Sequence, residues 1–267
     1  MDPFLSDVLL KDAYVYPTSR YISGHIVEYD IRAANVNMLY KYGKIDKATY
    51  DYLLSIPKQD RQIKVGLMSK QDPTINTIYI NGIKEHKLLF AEANNIQLKE
   101  IIRIAKDAVY INRPGILPNR FFGNVEFKVA SITDVFMILE NKVYILFKKE
   151  PDGSLNIDVK GLGESKALHA DGMLSFIASL INIVENAGVE EGLKIVSDFY
   201  VNYINRNLPI QFYRHFDSRS EFLVNAKGLG SVFVPVAKQE DLYLLNIDYN
   251  AKVIRDIWSV IKSKYRY

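Results

Sequence analysis

The sequence predicts an α+β protein: a central antiparallel sheet, a helical insertion at 43–96, and a mostly helical C-terminal part from about residue 165. Three observations carry that class. β-Branched and aromatic residues crowd two short runs, 26–31 and 99–112, and helix formers with recognisable stop residues fill the stretch between them. From 113 to 160, strand-like runs alternate with Pro- and Gly-containing turns, after which a 3.6-residue apolar period takes over. With 267 residues and 48% hydrophobic composition, the chain can bury a sizeable core in one domain or two closely packed ones.

Taken in order, Tyr14, Val15 and Tyr16 suit an edge strand turned by Pro17 and Ser19. Ile26, Val27, Tyr29 and Ile31 then supply a buried strand, and Asp30 stands where it changes to a helix over 33–42, closed by Gly43. Asp46 is suited to cap a second helix over 46–55 that Pro57 stops. A short polar-then-apolar helix covers 58–68, and Asp72-Pro73 opens a longer one to about residue 93, ended by Asn94 and Asn95. That helix feeds a hairpin whose tight turn is Ala105-Lys106-Asp107-Ala108. The best later strands are 124–130, 143–148 and 155–159. Met173, Ile177, Leu180, Ile181 and Val184 line one helix face; Leu193, Val196, Tyr200 and Tyr203 line another, and Ile254, Ile257, Trp258 and Ile261 a third.

Bulk properties exclude several classes. Zero cysteines rule out disulfides and thiolate metal sites and suit a reducing cytosol. The start lacks a basic segment followed by an apolar one, and no apolar run approaches 18 residues, so the expectation is a soluble, cytoplasmic protein without a membrane partner. A net charge of only +3 gives little long-range steering, so a polynucleotide partner would need a local basic surface. His25, His86, His169 and His215 show no metal-ligand spacing, and the Gly161-Leu-Gly163 and Gly228-Leu-Gly230 pairs lack the Lys-Ser/Thr of a phosphate loop.

The chemistry-bearing candidates are Asp30 and Asp107. If the hairpin lies beside the first strand, the two converge, and two carboxylates on adjacent strands can hold a pair of Mg²⁺ ions ~3.5–4 Å apart for in-line phosphoryl transfer. Each has an ordinary alternative: Asp30 as N-cap of the 33–42 helix, Asp107 as a turn residue. Glu28, two residues before Asp30 on the same strand face, is either a competing ligand or solvent-facing.

The run Ile26-Val-Glu-Tyr-Asp30 followed by Ala34-Asn-Val-Asn-Met38 resembles motif A of family-B DNA polymerases. Ala105-Lys-Asp-Ala-Val109 resembles their motif C, Asp-Thr-Asp-Ser-Val, with Asp107 at the second, catalytic aspartate. Asn156-Ile-Asp-Val-Lys-Gly-Leu162 looks like the Lys-Gly stretch that contacts the primer–template, which would give Lys160 that contact. The resemblance spans roughly 25–165. It implies a palm-like core over 1–164, a fingers-like insertion at 43–96 and a thumb-like region over 165–267, with no room before residue 25 for a proofreading domain. Departures are explicit. Asn35 replaces the tyrosine that gates against ribose, implying weak sugar discrimination, and Ala105 replaces the first motif C acid. Motif B, Lys-x-x-x-Asn-Ser-x-Tyr-Gly, is represented around 61–68 only by Lys64 and by Arg61 one turn earlier; Met68 stands at the asparagine position.

The resemblance implies template-directed nucleotidyl transfer. Asp30, Asp107 and the main-chain carbonyl of Ile31 would hold Mg²⁺ or Mn²⁺, and Asn35, Arg61 and Lys64 would contact the nucleoside triphosphate. Lys160, with Arg214 and Arg219 from the aromatic- and cation-rich 211–219 stretch, would contact nucleic acid. The expected partners are a primer–template or single strand, nucleoside triphosphates and other replication proteins of a phage or mobile element. Two alternatives stay open: a catalytically inactive palm serving as a nucleic-acid-binding or assembly subunit, and an untemplated terminal transferase.

Overall fold

The computed structural model describes residues 2–15, 20–139, 143–160, 171–213, 222–226, 230–234 and 247–264. The alternation of Val27, Tyr29 and Ile31 with Glu28 and Asp30 does what period-2 patterning dictates. It places three apolar side chains on one face of strand β2 (Tyr21–Ile31) and the two acids on the other. β2 pairs antiparallel with β4 (Ala108–Asn112), which turns back to β3 (Ile101–Ala105), and β1 (Ala13–Val15) closes that edge against β3. On the other side of β2 lies β6 (Val125–Ile138), with the two-residue β5 (Phe121–Phe122) hairpinned onto it.

Met1–Tyr16 and His25–Ile132 form one compact unit. Its core lies on the Val27/Tyr29/Ile31 face, where α1 (Pro3–Leu9) and α5 (Thr74–Ala93) contribute Leu5, Leu9, Ile83 and Phe90. Phe90 stacks on Phe127 at 4.2 Å between ring centroids and tilts against Tyr29 at 5.1 Å. Fully burying such side chains is worth about 1.5–3 kcal/mol each, so this aromatic trio anchors α5 to the sheet. α2 (Ala34–Lys41), α3 (Lys47–Ser55) and α4 (Lys58–Gln71) bury a smaller cluster with α5: Val36, Leu39, Leu53, Val65 and Ile75. This is the helical insertion expected from the sequence. Asp46 caps α3 by accepting a hydrogen bond from the Thr49 amide at 2.8 Å.

Pro17–Gly24 and Thr133–Tyr267 form the second unit. Here the end of β6 pairs with β7 (Tyr144–Lys149) and β7 with β8 (Leu155–Lys160). Val135, Met137, Ile145 and Phe147 pack against α6 (Asp171–Ala187), α7 (Val189–Ile204) and α8 (Asp248–Lys264). The α+β class therefore holds, with antiparallel pairing in each of these ladders. Four details differ from the sequence reading. Leading residues Pro3–Leu9 form a helix capped by Asp2. β6 continues eight residues past 130. The C-terminal part contains a hairpin of β9 (Phe222–Ala226) and β10 (Gly230–Val234). Finally, contacts divide the chain at Ile132/Thr133, grouping β7 and β8 with the C-terminal helices that cover them, and not at 164/165. No described helix is long and apolar enough to cross a membrane.

Candidate functional site

Register brings the two aspartates together. Asp30 is opposite Ala108 across the β2–β4 ladder, and Asp107 is the adjoining turn residue, Ala105 pairing with Ala108 across a two-residue turn. Lys106 accepts a left-handed φ of 56° in that turn, as mirror-image hairpin turns require, and its amide donates to the Asp12 carbonyl at 2.7 Å. Asp30 is not a helix cap. The cap position of α2 is Ala33, at φ 43°, and no side chain caps the helix. The ordinary reading of Asp30 thus loses its structural basis, because β2 runs through it and the helix starts four residues later.

Both aspartates line one cavity of about 730 Å³ at the end of these strands. Burial, and then the charge of Asp30, push the Asp107 carboxyl above the usual carboxylate range. Tyr79 of α5 lines the same cavity, and its phenol is pushed up to about 12 by burial and then by Asp107 and Asp30. Electrostatically, then, the three groups share one environment. Lys128 of β6 partly offsets the acids, with Nζ 3.3 Å from Asp30 Oδ2. Lys58 and Arg61, on the first turn of α4, and Lys106, beside Asp107 in the hairpin turn, line the same cavity. The uncapped start of α2, with Ala34 and Asn35, completes the wall.

The residues expected from the sequence separate clearly. Asp30, Ile31, Asn35, Arg61 and Asp107 line the cavity together. Lys64 does not: it is exposed on α4, with its ammonium 5.3 Å from the centre of the Tyr52 ring. Its place is taken by Lys58, which an i, i+3 spacing puts on the Arg61 face. Glu28 is 8% exposed; its two oxygens accept the Tyr110 hydroxyl and the Ser131 hydroxyl, each at 2.7 Å, so it belongs to a buried polar network and not to the cavity. Lys160 belongs to the second unit, where it is 3.7 Å from Asp158. Arg214 and Arg219 lie outside the described residues.

The cavity lining also includes residues that were not anticipated, among them Lys58, Tyr79 and Lys128. A signal existed for Tyr79. The Asn-Ser-x-Tyr spacing sought around Lys64 occurs one helix later as Asn76-Thr77-Ile78-Tyr79, with threonine for serine. Lys128 carried none, because an alternating strand with one lysine reads as an ordinary solvated face.

Among the described residues, no group of three or more His, Asp or Glu side chains could hold a metal ion. Two carboxylates still suit Mg²⁺, which takes one or two protein carboxylates and completes its octahedron with substrate phosphates and water. The repelling Asp30–Asp107 pair, with Asp107 pushed toward its neutral form, is the arrangement a divalent cation would relieve.

Over residues 6–253 the sequence matches the family described as Bacteriophage PBS1 gene 130 protein, and the chain belongs to that family. No curated protein matches the sequence.

Proposed function

We propose that this chain is a nucleotidyl transferase of DNA-polymerase type, acting on nucleic acid and nucleoside triphosphates in the host cytoplasm. One observation carries the reading: Asp30 and Asp107, from neighbouring strand ends, share a cavity with Lys58 and Arg61. Paired acids suit divalent cations, and facing cations suit a triphosphate.

In this reading Asp30, Asp107 and the Ile31 carbonyl hold Mg²⁺ or Mn²⁺. When bound, the metal lowers the pKa of an attacking 3′-hydroxyl and stabilises charge on the triphosphate. Arg61 and Lys58 donate charge-assisted hydrogen bonds to the phosphates, beside the start of α2. Asn35 stands at the sugar end as a short amide, which accommodates a 2′-hydroxyl as readily as its absence. Tyr79 of α5 lines the same cavity as the acids.

The test is incorporation of labelled nucleotide onto a primed template with Mg²⁺ or Mn²⁺. Asp30→Asn and Asp107→Asn should each lower the rate by several orders of magnitude. Wild-type rates in both variants would refute the assignment. A second reading, an inactive palm that binds nucleic acid or assembles replication proteins, is favoured by the Lys128–Asp30 ion pair, which occupies one of the two acids. Nucleic-acid binding in a gel shift without extension in the same buffer would select it. Extension of an unprimed single strand would select terminal transfer.

A further inference from the structure

The sheet face that carries Asp30 continues outward to an exposed aromatic side chain that the core does not use. Along β6, Val125 and Phe127 enter the core, which turns Glu126 and Lys128 to the Asp30 face. Lys128 reaches Asp30, and Arg32 reaches Glu126 with Nε 2.8 Å from Oε2. Phe121 pairs with Glu126 in the β5–β6 hairpin, so its ring lies on this same face while Phe122 turns inward toward Phe127. At 64% exposure, Phe121 is among the most exposed large apolar side chains of the described chain. The Arg120 guanidinium lies 5.8 Å from its ring centre. The hairpin is held in place: Gly123 makes its turn at φ 64°, and Asn124 Nδ2 donates to the Asn37 carbonyl of α2 at 3.0 Å.

We propose that Phe121, flanked by Arg120 and Arg32, is a stacking platform for an unpaired base of a single-stranded nucleic acid that runs to the Asp30–Asp107 cavity. An aromatic face beside guanidinium groups is the chemistry that binds single strands, the ring taking a base and the cations the backbone. Strand geometry puts Phe121 within ~8 Å of Lys128, so a strand seated on one passes the other. The two acids on this face, Glu126 and Asp30, are paired with Arg32 and Lys128. The inference rests on the nucleic-acid part of the reading above and not on its chemistry.

Binding of a fluorescein-labelled oligothymidylate, followed by anisotropy in EDTA, tests it without catalysis. Phe121→Ala should weaken binding about 10-fold, while Phe121→Trp should keep wild-type affinity and show quenched tryptophan emission on binding. A strand with one abasic position at the platform should bind wild type as weakly as Phe121→Ala binds the intact strand, and should cost that variant nothing more. Wild-type affinity in Phe121→Ala, equal binding of intact and abasic strands, or no oligonucleotide binding by wild type each overturns the platform. The two proposals fail separately. A strand that stacks on Phe121 but is never extended leaves the platform and removes the transferase; extension unaffected by Phe121→Ala does the reverse.

Discussion

Removing one charge from the aspartate pair should make the metal-free protein more stable. Charges on neighbouring strand ends stand ~6 Å apart, and at an effective dielectric of ~20 their repulsion is about 3 kcal/mol. Lys128, 3.3 Å from Asp30, offsets part of this, as do Lys106 and Lys58 near Asp107, leaving about 1–2 kcal/mol. The sign follows from the raised Asp107 pKa. A carboxyl held above its unfolded value favours folding while protonated and disfavours it once pH rises through the folded value. Asp107→Asn keeps the shape and removes the charge. At pH 7.5 in EDTA it should melt ~3–6 °C above wild type, and the gap should close as the pH is lowered to ~3 or below, where Asp107 is protonated in both states. Millimolar Mg²⁺ should raise the wild-type melting temperature and leave Asp107→Asn nearly unmoved. A variant that melts at or below wild type in EDTA at pH 7.5 would mean that the pair is not in tension, and the cation argument would go with it.

Arg61→Ala should raise KM for nucleoside triphosphate at least 10-fold, and Lys64→Ala should leave it within twofold, because only Arg61 faces the cavity; equal effects in steady-state kinetics would contradict that geometry. Gly82→Ala should destabilise by about 1–3 kcal/mol in urea titration, since an added Cβ would stand 2.6 Å from Met38 Sδ and 2.9 Å from the Tyr42 ring where α2 crosses α5. Lys87, 1% exposed and bonded to the Lys11 carbonyl at 2.8 Å, has its ammonium pKa pushed down to about 8 by burial. Its folded value is below its unfolded one, so stability should rise from pH ~8 to ~10 as the buried ammonium loses its proton. Lys87→Met should flatten that slope in denaturant titrations at pH 7.5, 8.5 and 9.5.

Local pattern made much of the site legible. Period-2 alternation sets which face Asp30 occupies, and four residues of turn chemistry put Asp107 at a hairpin tip, so the positions of both aspartates in the fold are legible in the sequence. Register could not be read, yet a buried strand next to a buried hairpin has few ways to pair without exposing Ile101, Ile104 or Val109. Helical phase was less secure. Arg61 and Lys64 share a face by spacing, but α4 buries only Val65, and so weak an apolar stripe leaves its rotation undetermined. The helix turned Lys58 and Arg61 to the cavity and Lys64 to Tyr52. The end of β6 was lost because Ser131, Thr133 and Asp134 interrupt the apolar run, although Val135 to Ile138 are as buried as any strand here. The C-terminal hairpin was missed because its flanks have no helical period and no strong strand alternation.

What distinguishes this cavity from an ordinary surface cleft is how many locally unfavourable features meet in it. Ala33 and Lys106 both hold positive φ without being glycine, which strains an L-residue by about 1 kcal/mol or more. α2 begins with no side-chain cap, where Ser, Asp or Asn would contribute about 1 kcal/mol. Two like charges are held close, and burial raises the cost of charging one of them. A chain selected for stability alone would use glycine at 33 and 106, a capping side chain before α2, and a neutral residue at 107. Each departure falls at the same cavity, whose lining brings cations and carboxylates together. A ligand carrying both phosphate oxygens and divalent cations satisfies both kinds of group at once. A protein surface or an apolar small molecule satisfies neither, which is why the nucleotide reading accounts for the strain as well as for the residue types.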